Sequence, residues 1–281
     1  MTEYAMARRA KLPWLLGGRP LRPDRGGYTV TMREDEGTAA ALDGLRMSRC
    51  PRSGIHLGWG SFRNLDIAAA RGSSRVFLCD INLHQFRIWR AVRPAVIAAT
   101  SPAAFVDAVA PTLPQHPRLR MFSTDVREWI GQELSRRESW LHEGSPERYR
   151  HVRSLFCARA VHVLQLDFAT AVDAPHRPFQ RLTAQLANLN EHEGHTLDTV
   201  YISNIPFMLQ QPVGFFGEDQ SAKGRDADST QQAVRHNLGL LRAPGVLLIT
   251  AEQLASTSRD NDLQWRTRVM SLDQYLEPGS G

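Results

Sequence analysis

The chain has 281 residues, of which 42% are hydrophobic and 22% charged, and a formal net charge of +5. This is enough apolar material for one large core. No apolar run approaches the roughly 20 residues that a bilayer-spanning helix needs, and Leu12 to Gly18 is too short for a signal peptide, so a cytoplasmic protein without a membrane partner is expected. Cys50, Cys79 and Cys157 have no CxxC spacing, which removes a disulfide framework and a zinc site as organising features. The basic excess near the start (Arg8, Arg9, Lys11, Arg19, Arg22, Arg25) reads as a solvated segment rather than a phosphate-binding face.

In chain order, residues 1–50 stand apart as an N-terminal cap or arm, and residues 51–281 form the main domain. Pro13, Pro20 and Pro23 with Gly17, Gly18, Gly26 and Gly27 exclude continuous helix before Tyr28, whereas Gly37 to Met47 has helical composition. Gly54 to Asn82 then reads as an apolar strand ending in Gly58-Trp59-Gly60, an Ala-rich helix, and a second apolar strand ending in Asp80 and Ile81. Cys79, inside the second strand, reads as a small core residue. Such a βαβ unit brings a helix N-terminus and backbone N–H groups to the end of the first strand. An acid about 20 residues further on can accept hydrogen bonds from a ribose.

From Leu83 to Arg159 the pattern is mainly helical and reads as an insertion at about 83–159. Leu83, Phe86, Ile88, Trp89 and Val92 make one amphipathic face, which Pro94 is expected to interrupt. Ser101 and Pro102 begin a helix to Val109, with the serine as cap. Thr124 to Leu141 carries Val126, Trp129, Ile130 and Leu134 at helical spacing, with Asp125, Glu128 and Glu133 read as a solvated face. A further helix is expected over Pro146 to Ala158. Ala160 to Phe168 returns to a period of two and ends in Asp167, with His162 read as a satisfied strand residue. Then come a helix over Phe179 to Leu189, a strand over Thr196 to Ile205, a loop over Pro212 to Ser229, a helix over Thr230 to Leu241 and a strand over Gly245 to Ala251. The alternating tail Leu263 to Leu272 is expected to pair antiparallel. His192-Glu193-Gly194-His195 lacks HExxH spacing and reads as a solvated turn.

The order of glycine turn, Asp80, Asp167, the strand end Tyr201-Ile202-Ser203-Asn204 and the run GVLLIT resembles the class I S-adenosylmethionine (SAM) dependent methyltransferase fold, over about Gly54 to Leu272. The resemblance implies an α/β, Rossmann-like fold with a mostly parallel sheet, here carrying an N-terminal cap and a helical insertion. It implies SAM as co-substrate or substrate. The glycine turn, with Gly58, Gly60, Ser61 and Asn64, would lie at the methionine part; Asp80 and Ile81 at the ribose; Asp167 and Phe168 at the adenine. The turn departs from the family in having Trp59 and no third glycine. NAD is disfavoured because the sixth position of the turn is Arg63, and no GK[ST] is present for a Walker loop. No Gly-x-Ser-x-Gly supports a hydrolase.

Ser203-Asn204-Ile205-Pro206-Phe207 resembles the Asn-Pro-Pro-Tyr type motif of amino-group methyltransferases. An amide oxygen there orients an amine lone pair, and an aromatic face stabilises the cation as it forms. Tyr201, Ser203, Asn204 and Phe207 are therefore the candidate catalytic residues, acting on a small-molecule amine. The long link between the second and third strands separates the chain from adenine-methylating enzymes, so a nucleic-acid partner is not expected. Three alternatives stay open: SAM cyclisation or aminocarboxypropyl transfer releasing methylthioadenosine, as in azetidine-2-carboxylate synthases; nucleic-acid N-methylation; and a SAM-fold binding protein without turnover. The oligomeric state is not legible.

Overall fold

A computed structural model describes residues 37–48, 53–59, 62–80, 83–112, 136–168, 177–203, 227–253 and 265–277. Helix α1 (Thr38–Met47) precedes strand β1 (Gly54–Trp59), helix α2 (Arg63–Arg71) and strand β2 (Arg75–Asp80). Helices α3 (Leu83–Ala98), α4 (Pro102–Val109) and α5 (Pro146–Cys157) lead to strand β3 (Val161–Gln165). Helix α6 (Pro178–Glu193), strand β4 (Thr196–Ser203), helix α7 (Ala227–Gly239), strands β5 (Leu247–Gln253) and β6 (Trp265–Ser271) and helix α8 (Leu272–Leu276) complete the order.

The six strands form one sheet in the order β3-β2-β1-β4-β5-β6. All neighbours are parallel except β5 and β6, which pair antiparallel from Leu247↔Ser271 to Gln253↔Trp265. This is the Rossmann-like α/β fold with a mostly parallel sheet and an antiparallel last strand that the pattern predicts. β1 is buried at every position, so its sequence reads as a continuous run rather than an alternation. Within that run, Ile55, Leu57 and Trp59 join one core with Leu182 and Leu186 of α6 and Val234 and Leu238 of α7. On the opposite face, Val76 and Leu78 of β2 join Leu65 of α2, Val92 of α3, Phe105 of α4 and Tyr149 of α5. A third cluster places Leu42 and Leu45 of α1 over Ile67, Tyr201 and Ile249.

Local signals account for several boundaries. Ser101 accepts from the Ala104 amide at 3.2 Å and Pro102 starts α4. Helix α6 ends on Gly194 at φ 69°, a left-handed conformation that glycine adopts without strain.

Four expectations are corrected. Pro94 does not interrupt its helix: α3 continues to Ala98, with Val92, Ala95 and Val96 buried on one side of the exposed proline. The packing of that face outweighs the one hydrogen bond that the proline removes. Arg136 to Leu141 is turn rather than helix, because Trp140 is drawn into the aromatic cluster and its amide donates to Asp66 Oδ1 at 2.7 Å. The rest of the expected helix, with Asp125, Glu128 and Glu133, lies outside the described residues. His192 and Glu193 are the last turn of α6 rather than a loop, and Ala227 to Ser229 belong to α7. No helix among the described residues is long and apolar enough to cross a membrane.

Candidate functional site

The sheet reverses its winding between β1 and β4: from β1 the chain steps outward to β2 and β3, then returns to the other side of β1 as β4. In open parallel sheets a ligand crevice lies outside the carboxyl ends of the strands at such a switch point. Gly58 stands at that place, in register with Leu78 of β2 on one side and Tyr201 of β4 on the other. Asp80 ends β2 and is 8% exposed, and its carbonyl accepts from the Leu166 amide at 3.0 Å. The fold thus gathers Gly58, Asp80 and the Tyr201–Ser203 strand end at one edge of the sheet.

A buried polar chain braces the end of β1. The Asn64 amide donates to the Trp59 carbonyl at 3.2 Å, which leaves Asn64 Oδ1 to accept from His56 Nε2 at 3.0 Å. That fixes the His56 tautomer, so Nδ1 accepts from the Thr199 hydroxyl at 2.8 Å. His56 and Asn64 are fully buried, and desolvation lowers the His56 pKa to about 4, so the imidazole is neutral at pH 7. One network thereby ties β1, β4 and the first turn of α2 to the last backbone carbonyl of β1. Asn64, expected at the cofactor, has both amide atoms in this brace.

On the other face, Trp59 meets Phe168 edge-on at 4.8 Å between ring centroids and lies parallel to Phe179 at 6.2 Å. The Phe168 carbonyl accepts from Asn237 Nδ2 at 2.9 Å, fixing the segment after β3, and Asp167 beside it is half-buried. The bulk of Trp59 is thus absorbed by this aromatic group, away from Gly58. Tyr201 faces the opposite way, 4% exposed and packed with Leu42, Ile67 and Ile249. Ser203 reaches the strand end, in register with Thr250. Gly60, Ser61, Ile81, Asn204 and Phe207 lie outside the described residues, as does the Ser203 side chain.

Two buried ionic groups escape a sequence reading. Arg71 makes a two-pronged contact with Asp198, at 2.8 and 2.6 Å, and also donates to the Leu45 carbonyl at 2.9 Å and to the Ser48 hydroxyl. The second group joins Arg63, Asp66, Arg136 and Glu138; within it Arg136 Nη2 donates to Asp66 Oδ2 at 2.7 Å. The signal available in sequence is slight: an acid inside an apolar strand (Asp198) and charges within an Ala-rich helix. His195 contacts the Ser74 hydroxyl through Nδ1 at 3.0 Å, Glu193 pairs with Arg75 at 2.6 Å, and no metal-ligand cluster occurs among the described residues. His162 stacks on Phe77 at 5.0 Å and burial lowers its pKa to about 4, a strand residue rather than a poised base.

Among known families, residues 43–115 match one described as a domain of unknown function (DUF7790). No curated protein matches the chain. Among the solved structures that are similar, two are of the rRNA methyltransferase aviRa from Streptomyces viridochromogenes. One is 15% identical with 86% of each chain covered and a TM-score of 0.38; the other is 14% identical with 94% of each chain covered and a TM-score of 0.40.

Proposed function

We propose that the chain is a SAM-dependent transferase acting on a small molecule, with an amine as the nucleophile. The observation that carries this reading is the coincidence, at the switch point of the sheet, of Gly58, Asp80 at the end of β2 and the end of β4. These residues fit the co-substrate: a carboxylate at the end of the second strand suits ribose hydroxyls, and a turn of two glycines lets backbone N–H groups approach a polar tail. Asp80 and Ile81 would hold the ribose, Gly60 and Ser61 the methionine part, and Asp167 and Phe168 would flank the adenine. When bound, SAM supplies an electrophilic methyl group on sulfonium. The chain's own task is to place the amine in line with it: Asn204 would accept an N–H hydrogen bond, Ser203 and Tyr201 would fix the strand end, and Phe207 would face the developing cation.

The test is incubation of purified protein with SAM, alone and with a panel of small amines, followed by mass spectrometry. Methylated amine and S-adenosylhomocysteine are expected. Methylthioadenosine with a new amino acid from SAM alone would replace methyl transfer by cyclisation or aminocarboxypropyl transfer at the same residues. Failure of SAM, S-adenosylhomocysteine and methylthioadenosine all to raise the melting temperature would overturn the reading, because a ligand of the native state must stabilise it.

A further inference from the structure

Trp89, Val92 and Val96 of α3 share one core with Val152, Leu155 and Phe156 of α5. The Trp89 and Phe156 rings stack at 6.4 Å between centroids, and Arg153 of α5 donates to the Ile97 carbonyl of α3 at 2.9 and 3.1 Å. The outward faces of the two helices therefore lie on the same side of the sheet. On them Arg90, Arg93 and Arg150 are exposed, and Arg159 is exposed where α5 passes into β3. None of the four side chains has an ion pair or hydrogen bond among the described residues. Elsewhere on the surface, Arg46 and Arg242 each meet a carboxylate, Asp43 and Asp273.

Little on this face offsets the charge. Helix α3 has no acid in its 16 residues, and α5 has only Glu147. At the edge strand β3, burial and then the Arg75 and Arg93 charges hold the His162 pKa at about 4, so Arg93 lies near a neutral imidazole. Arg75 is matched by Glu193 at 2.6 Å, whereas Arg93 is not matched. Unpaired like charges on one face repel one another and attract a polyanion, and the planar guanidinium fork suits phosphate oxygens. The large hydrophobic side chains exposed among the described residues are Met47 of α1 and Val269 of β6. The α3–α5 face therefore has neither an apolar wedge to enter a bilayer nor an exposed ring on which unpaired bases could stack.

We propose that the α3–α5 face docks the phosphate backbone of a nucleic-acid duplex through Arg90, Arg93, Arg150 and Arg159, without reading sequence. The inference goes beyond the SAM reading and does not rest on it, since none of these residues belongs to the candidate site.

Fluorescence anisotropy of the full chain with a labelled short DNA duplex, the same duplex in RNA, a single strand of that sequence, and vesicles of phosphatidylserine and phosphatidylcholine tests it. Four phosphate contacts predict a slope of about −3 to −4 for log affinity against log salt, roughly a 100-fold loss between about 50 and 200 mM. Arg90→Gln with Arg93→Gln should make that slope shallower by about 2, and adding Arg150→Gln and Arg159→Gln should abolish duplex binding. Arg242→Gln, which removes a paired arginine outside the face, should change neither affinity nor slope. Because the four side chains are exposed and unpaired, the melting temperature of each variant should match that of the wild type, which reports an intact fold. Binding of either duplex with these slopes supports the inference, and the DNA and RNA arms tell the two sources apart. No duplex binding at about 50 mM salt, or a wild-type slope in the fourfold variant, overturns it. Tighter binding to the single strand or to the vesicles than to both duplexes overturns it as well.

Discussion

A β-carbon on Gly58 would lie 1.6 Å from Asn64 Oδ1 and 2.8 Å from His56 Nε2. The glycine is thus demanded by the Asn64–His56 brace packed against it. Gly58→Ala must push Asn64 off the Trp59 carbonyl, so a loss of about 1–3 kcal/mol in urea unfolding is expected. Nucleoside affinity should fall with it, since the Trp59 carbonyl at the end of β1 loses its brace. Unaltered stability would mean that Asn64 has another place to go.

His56 sets a pH dependence. Its pKa is 6.5 in the unfolded chain and about 4 in the folded protein, so the unfolded state takes up a proton over that interval which the folded state refuses. Stability should be flat with respect to this group above pH 6.5, decline as pH falls from 6.5 to 4, and level off below. The loss amounts to about 3 kcal/mol. Unfolding of His56→Gln, measured across the same range, should show a shallower slope, while an identical slope would assign the acid sensitivity elsewhere.

Arg71 and Asp198 are a second test of burial. Both side chains are 2% exposed, and the arginine also holds the C-terminal end of α1 through Leu45 and Ser48. Asp198→Asn strands a buried cation and should cost about 3–5 kcal/mol, whereas the double change Arg71→Met with Asp198→Leu should regain much of that loss. Denaturant titration of the single and double variants decides between them.

The division of labour at the sheet edge is open to kinetics. Asp80→Ala should weaken nucleoside binding, and Asn204→Ala should spare binding and lower turnover. Equal loss of affinity in both variants would overturn that division of roles.

Much of the architecture was legible because it rests on local rules. Ser101-Pro102 announced α4, the apolar runs at Gly54–Trp59 and Arg75–Asp80 announced adjacent buried strands, and the alternating tail announced β6. Misreadings came where a distant partner won. Pro94 failed to break α3 because a buried face carried the helix past it, and Trp140 left helical geometry because Asp66 captured its amide.

The sequence alone determined the order of strands and helices, the position of the glycine turn and the acid that follows it, because hydrophobic period and turn chemistry act over a few residues. Only the tertiary structure decided what those residues face. It turned Trp59 toward Phe168, joined Asn64 to His56 and Thr199, and set Arg63 beside Asp66 and Glu138 in a buried ion cluster. Such contacts join residues up to 143 positions apart, and no local pattern encodes which buried polar groups will find one another.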